Sequence, residues 1–129
     1  NIDATLIQLT NDLYGSDVQI AKLEGTLAEH KERTELYEVN VSLNTKYNEK
    51  DTAPTRLLKN KQAILKNADV QIAKSEERNW QELLDTEKAT NKKLARQFAA
   101  ACHISERQAA RMNLLASKRL NPDSKGATP

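Results

Sequence analysis

The stretch "IDATLIQLTNDLYGSDVQIAKLEGTLAEHKERTELYEVNV", from Ile2 to Val41, spaces its apolar residues at alternating steps of three and four. These steps form two columns, one at every seventh position from Ile2 and the other at every seventh position from Leu6. Such a heptad places both columns along one face of a helix that packs against another helix, as in a coiled coil. Because no Pro interrupts it, the stretch predicts one long helix over about residues 2–49.

The two columns contain polar members as well as apolar ones. A polar residue in such a seam commonly fixes the pairing register at some cost in stability, so we expect His30 to set the register and Ser16 and Thr34 to form further polar layers. A pH-sensing role is the alternative for His30, since histidine titrates near neutral pH. The predicted seam and register residues are Leu9, Ile20, Leu23, Leu27, His30 and Tyr37.

The segment "NEKDTAPTRLL", Asn48 to Leu58, interrupts this pattern. Pro54 disfavours helical geometry at Ala53, while its own fixed φ suits the first turn of a new helix. Thr52 or Asp51 is the expected cap of that helix. The sequence therefore predicts a turn over 50–54 that reverses the chain into an antiparallel hairpin.

A second helix is predicted over about residues 54–102, with apolar residues that are less evenly spaced. Two successive steps of four indicate a stutter, which locally unwinds a supercoil. The stutter is expected between Ile72 and Trp80. The predicted seam consists of Leu58, Leu65, Ala68, Ile72, Trp80, Leu83 or Leu84, Leu94, Phe98 and Cys102.

Antiparallel pairing across the predicted turn places Ile20 opposite Leu84 and His30 opposite Ser75 or Glu76. The hexapeptide "DVQIAK" occurs in both predicted helices, at residues 17–22 and 69–74. Duplication of a helical unit and similar demands on two similar helices both explain such a repeat.

Past residue 102, Ser105 and Gln108 match a capping box and predict a third helix over about 105–120. Asn121 and Pro122 are expected to stop it, and residues 121–129 to form a disordered tail. The predicted fold is all-α: an elongated, long antiparallel helical hairpin, coiled-coil-like, with a shorter third C-terminal helix. A single domain is expected to cover residues 1–120.

The segment "LARQFAAACHISERQAARMNLL", Leu94 to Leu115, resembles the helix-turn-helix of DNA-binding domains. The motif's small residue, turn residue and apolar positions fall on Ala99, His103, Ile104, Ala109 and Met112, although glycine is commonest at the turn. The resemblance implies that the second helix enters the major groove of DNA. Its implied nucleic-acid contacts are Ser105, Arg107, Gln108 and Arg111. The alternative is that Ser105 merely caps a third bundle helix whose basic residues are solvated.

The net charge of +2 conceals an uneven distribution. Residues 1–50 contain five Lys/Arg against nine Asp/Glu, whereas residues 88–129 contain nine against two. A basic end of this kind either faces phosphates or pairs with the acidic start of the chain.

The residues that carry chemistry are sparse. The chain has one Cys, two His and three scattered Gly, which form no zinc-binding spacing and no phosphate loop. Cys102 and His103 are adjacent and would not face each other on a helix. We therefore expect no enzyme activity, no cofactor, no metal and no small-molecule substrate. No run approaches the roughly 18 apolar residues of a membrane span, and the sequence leaves the compartment open.

Two functions remain. The first is a non-enzymatic helical interaction or scaffold protein that acts through its seams within a larger assembly, with a protein partner or self-association. The second is a DNA-binding accessory protein that uses the basic segment 94–115 as its reader.

Overall fold

A computed structural model describes residues 1–120, with the side chain of Leu120 excepted. Three helices make up the described part: α1 (Ile2–Asn44), α2 (Ala53–Lys66) and α3 (Ala68–Leu120). No strand occurs among these residues. Because α1 packs against α3, the prediction of an all-α helical hairpin is confirmed. The predicted disordered tail, 121–129, lies outside the described residues.

The first helix ends at Asn44, earlier than the predicted residue 49. The amide of Asn44 donates to the backbone oxygen of Asn40 at 2.9 Å, and the hydroxyl of Thr45 donates to that of Val41 at 2.7 Å. Side chains that bond to nearby backbone in this way compete with the helical hydrogen bonds. Such bonds accompany the end of α1, which is reached before the turn.

Of the two expected caps, Thr52 and Asp51, it is Thr52 that caps α2. Its hydroxyl accepts a hydrogen bond from the backbone N–H of Thr55 at 3.4 Å, and Pro54 lies in the first turn. Asp51 instead organises the loop: its carboxylate accepts from the backbone N–H of Asn48 at 2.8 Å and from the ammonium of Lys59 at 2.6 Å. The loop before α2 is thus tied to the helix that follows it.

The predicted second helix over 54–102 is wrong, because Asn67 separates α2 from α3. Asn67 has extended backbone angles, φ −75° and ψ 121°, and its backbone N–H donates to Ile64 at 3.3 Å. Its side-chain oxygen accepts from the backbone N–H of Val70 at 3.0 Å. One residue therefore ends α2 and caps α3.

The predicted boundary between helices at residues 102–105 is also wrong, since α3 runs through it without interruption. No residue from 1 to 120 has a positive φ, so His103 makes no left-handed turn. Residues 99–105 contain no Gly or Pro, and the first three of them are alanine, the best helix former. The shortest of the three helices is α2, in the middle of the chain. The segment predicted as a separate helix over 105–120 is the continuation of α3.

The described chain divides into two compact units. Unit 1 contains Asn1–Asp17 and α3 from Thr90 onward, and unit 2 contains Val18–Ala89. The core of unit 2 is formed by Leu23, Leu27 and Leu84, with Ile20 and Trp80 packed against it. Ile20 and Leu84 thus lie in one cluster, as the antiparallel pairing predicts.

The seam of α3 follows a strict heptad in both units, and the predicted stutter is wrong. The heptad positions are all buried or half-buried: in unit 2 they are Val70, Ala73, Glu77, Trp80, Leu84 and Glu87, and in unit 1 Asn91, Leu94, Phe98, Ala101 and Ser105. Four positions beside them are also half-buried: Gln71, Lys74, Gln81 and Cys102. Leu58, Leu65 and Ile72, which were expected in the seam, are 57%, 65% and 58% exposed. Four polar members, Glu77, Glu87, Asn91 and Ser105, interrupt the apolar column, so apolar spacing alone does not reveal this heptad.

Candidate functional site

His30 packs into the seam of unit 2 against an aromatic ring. The imidazole stacks on Trp80, with 5.6 Å between ring centroids and 25° between ring planes, and its Nδ1 lies 3.6 Å from Glu76 Oε2. Glu76 is the partner that the antiparallel pairing predicts. The stack with Trp80 was not anticipated, although Trp80 lies one helical turn from Glu76, where contact with the same side chain is expected.

Thr34 is a buried polar residue whose hydrogen bond stays within α1. It is 5% exposed, and its hydroxyl donates to the backbone oxygen of His30 at 2.9 Å. This bond lies within α1 and would survive a change of register. Because the Thr34 hydroxyl finds its partner within α1, this bond does not fix the register between α1 and α3.

In unit 1, Asn91 of α3 forms the polar layer with Ser16 of α1. Asn91 Nδ2 donates to Ser16 Oγ at 3.2 Å and to Asp17 Oδ1 at 2.9 Å. Ser16 is 5% exposed. Because these bonds cross between helices, they depend on the register, as a buried seam asparagine does in coiled coils. The signal for Asn91 was its place seven residues after Leu84.

Two ion pairs flank the seam of unit 2. Lys74 Nζ lies 3.3 Å from Glu38 Oε1, and Lys88 Nζ lies 3.9 Å from Glu24 Oε1. Both pairs are substantially exposed, so each contributes little to stability. They nevertheless favour the same register as the His30 contacts.

The six predicted seam residues are placed as follows. Leu23 and Leu27 are buried, and Leu9, Ile20 and His30 are half-buried. Tyr37 is 39% exposed and lies at the seam's edge. The structure brings Ile20, Leu23 and Leu27 into one core. That these residues govern register or partner choice stays a prediction.

The end of α3 (residues 104–119, called the α3 end below) is not covered by any helix among residues 1–120. Apart from half-buried Ser105, every residue in it is exposed. The antiparallel pairing of the described residues places α1 opposite α3 as far as about Ser105. Met112 and Leu115 nevertheless continue the α3 heptad, and they are 68% and 49% exposed. The apolar seam thus extends past its partner.

The residues with implied nucleic-acid contacts lie on this α3 end. Arg107, Gln108 and Arg111 are exposed and share one face of the helix with Ile104. The helix-turn-helix geometry is wrong, because the segment is a single helix without the turn. The basic side chains themselves remain accessible, and their contact with phosphates stays a prediction.

No group of three or more His, Cys, Asp or Glu within residues 1–120 is placed to hold a metal ion. Among the helices of the same range, none is both long and apolar enough to cross a membrane. Cys102 is a free, half-buried thiol, and the neighbouring His103 side chain is 77% exposed.

The site therefore consists of a seam between α1 and α3 with polar contacts at Ser16–Asn91 and at His30–Glu76, and of the exposed apolar and basic α3 end. Comparison of the chain with protein-family models, with curated proteins and with solved structures found no match.

Proposed function

We propose that this chain is a non-enzymatic interaction protein whose hairpin presents the α3 end to a helical partner within a larger assembly. The observation that carries the proposal is the exposure of Met112 and Leu115 at heptad positions beyond Ser105, the last half-buried position of the α3 seam. Fully burying one such side chain contributes about 1.5–3 kcal/mol, so a second helix laid along them would be held by a useful hydrophobic contribution.

The paired part of the hairpin supports this function by fixing where the α3 end is presented. A slip by one heptad would break the hydrogen bonds from Asn91 to Ser16 and Asp17 and would move His30 away from Trp80. Polar layers of this kind select one register among several that the apolar residues alone would tolerate. A fixed register between α1 and α3 determines which heptad positions of α3 remain exposed.

DNA binding is the second candidate, and the exposed arginines favour it. The α3 end contains four Lys/Arg against one Asp/Glu. Without a helix-turn-helix, this candidate is limited to electrostatic contact with phosphates, which carries little sequence information. Binding of that kind falls steeply with salt, by about tenfold or more between roughly 50 and 200 mM for several phosphate contacts.

Two matched double variants separate the candidates without changing the charge. Met112→Gln/Leu115→Gln removes the apolar seam, whereas Asn113→Gln/Ser117→Gln alters the opposite face of the same helix. All four positions are exposed, so both variants should keep the helicity and melting temperature of the wild type. Each protein is immobilised and exposed to an extract of the source cells, and a labelled DNA duplex is titrated in parallel.

The seam function requires a protein that the wild type and the Asn113/Ser117 variant retain and the Met112/Leu115 variant loses. Retention of that protein by all three would contradict it. DNA binding that is equal in all three and is lost in Arg107→Ala/Arg111→Ala, with unchanged stability, would favour the second candidate instead.

A further inference from the structure

A second unpartnered surface lies on α1 in unit 1. Ala4, Ile7, Asn11 and Tyr14 recur at steps of three and four on the side of the helix that points away from α3; they are called the outer face of α1 below. All four are exposed, and Ile7 and Tyr14 reach 65% and 72%. A helix that only covers a hairpin partner normally presents polar residues there.

The corresponding side of α3 in the same unit does present polar residues. Lys92, Lys93 and Arg96 occupy exposed outer positions there, and the small side chains of Ala99 and Ala100 follow them. Within residues 90–103, the outer side of α3 has no apolar side chain as large as Ile7 or Tyr14 on α1. This contrast indicates that α1 is contacted on two sides and that α3 supplies only one of the contacts.

The outer face of α1 and the α3 end have opposite charges. The first 14 residues, which include the whole outer face of α1, contain Asp3 and Asp12 and no Lys or Arg. The α3 end contains Arg107, Arg111, Lys118 and Arg119 against Glu106 alone. Each surface is an apolar strip with charged flanks, so opposite signs favour contact between the two and oppose contact of either surface with itself.

The two surfaces also agree in length. Ala4 to Tyr14 and Ile104 to Leu115 each extend over about three helical turns, or roughly 15–17 Å at the rise of an α-helix. The two surfaces of one chain cannot meet, because α3 lies on the other side of α1 and continues without a break through the α3 end. The contact therefore needs two chains.

We propose that the α3 end of one copy docks on the outer face of α1 of a second copy. The proposal rests on the proposed function, because it names the helical partner of the α3 end. Such a contact joins two different surfaces and is heterologous, so a dimer keeps one free surface of each kind and association continues beyond it unless a ring closes. Three helical turns on each side form a small interface, so association is weak and needs high concentration.

The wild type is measured by sedimentation equilibrium from about 10 µM to about 1 mM at low salt, where weak interfaces become populated. The expected weight-average mass rises with concentration past that of two chains, and falls again at about 0.5 M salt because the charged flanks are screened. A wild type that keeps the mass of one chain throughout overturns the proposal.

Two variants identify the surfaces. Met112→Gln/Leu115→Gln blocks the α3 end, and Ile7→Lys/Tyr14→Lys blocks the outer face of α1; all four side chains are exposed, so folding should be kept. Each variant alone should stay monomeric, with association weakened at least about tenfold. The control Asn113→Gln/Ser117→Gln should associate as the wild type does.

Mixing the two blocked variants is the decisive experiment. Each retains the surface that the other lacks, so the mixture should form a one-to-one heterodimer and stop there. A wild type that plateaus at two chains, with no complex in the mixture, overturns the head-to-tail contact. If the wild type is monomeric but loses a retained protein when Met112 and Leu115 are replaced, this inference fails while the proposed function stands; if nothing is retained either, both fail.

Discussion

The side-chain amide of Asn91 donates a hydrogen bond to the hydroxyl of Ser16 across the α1–α3 seam, with 3.2 Å between Nδ2 and Oγ. The same amide reaches Asp17 at 2.9 Å. Because Ser16 is almost fully buried, a register in which this contact is lost leaves a polar group without one of its partners. The hydrogen bond between Asn91 and Ser16 therefore favours the observed register between α1 and α3.

A double-mutant cycle tests this link. Ser16→Ala, Asn91→Ala and the double variant are compared by urea unfolding. A buried neutral hydrogen bond contributes about 0.5–1.5 kcal/mol, so we expect a coupling free energy in that range. The same cycle with Asn113→Ala in place of Asn91→Ala should give a coupling near zero, since Asn113 is exposed. Equal coupling in both cycles would contradict the role of Asn91.

Leu83 and Leu84 form a matched pair for the core of unit 2. Leu84 is 3% exposed and packs with Leu23 and Leu27, whereas Leu83 is 52% exposed. Leu84→Ala should lower the free energy of unfolding by about 2–5 kcal/mol, because it opens a cavity. Leu83→Ala should change it by about 0.5 kcal/mol or less. Denaturant unfolding followed by circular dichroism compares the two, and a larger loss at Leu83 would mean that the heptad is misassigned.

Asn67 caps α3 through its bond to the backbone N–H of Val70. Asn67→Ala should therefore lower the free energy of unfolding by about 0.5–2 kcal/mol. Asn79→Ala is the control, because Asn79 lies exposed in the interior of α3, where alanine is the better helix former. Chemical unfolding of both variants is the measurement. An Asn67→Ala protein as stable as the Asn79→Ala protein would rule out the cap.

The Asp51 loop should respond to acid. The pKa of the Asp51 carboxyl lies below its ordinary value of 3.8. The main cause is the hydrogen bond from the Lys59 ammonium, and the hydrogen bond from the backbone N–H of Asn48 adds to it. Since the folded-state pKa is the lower one, the contribution to stability is complete above pH 3.8 and is lost as the pH falls through the folded pKa. The amide resonance of Asn48, followed by NMR against pH, should titrate with a midpoint below 3.8. In Asp51→Asn that titration should vanish; a wild-type midpoint at or above 3.8 contradicts the assignment.

Trp80 is the one tryptophan of the chain, so its fluorescence reports on the His30 stack. His30→Ala should shift the Trp80 emission to longer wavelength because it uncovers the ring, and should remove the roughly 0.5–1.5 kcal/mol that an aromatic pair contributes beyond burial. His103→Ala is the control, since His103 is exposed and far along α3 from Trp80. Identical spectra for His30→Ala and the wild type would show that the stack is absent in solution.

The sequence predicted the seam of α1 almost residue by residue, because its apolar side chains recur at helical spacing. From Ile2 to Val41 both predicted columns are buried or half-buried, with Tyr37 as the exception. The seam of α3 was not predicted correctly, because Glu77, Glu87 and Asn91 occupy heptad positions without being apolar. Their burial depends on what α1 places opposite them, which no pattern within α3 reveals.

The break between the later helices shows the same division. Ser105 and Gln108 match a capping box, yet α3 continues through them, since Ser105 lies half-buried in the seam. The actual break, at Asn67, depends on a cap that was not singled out. A capping signal shows where a helix is able to start, and packing of the neighbouring segments decides whether it does so.

The hexapeptide "DVQIAK" separates what the two levels determine. Both copies are helical, as their composition predicts. In α1, however, Ile20 contributes to the core and Val18 is 36% exposed, whereas in α3 Val70 is fully buried and Ile72 is 58% exposed. The sequence by itself determined that both copies are helical, and it determined the seam of α1. Only tertiary packing decided which face of each copy is buried, because a helix of given sequence offers several apolar faces and the partner helix covers only one of them.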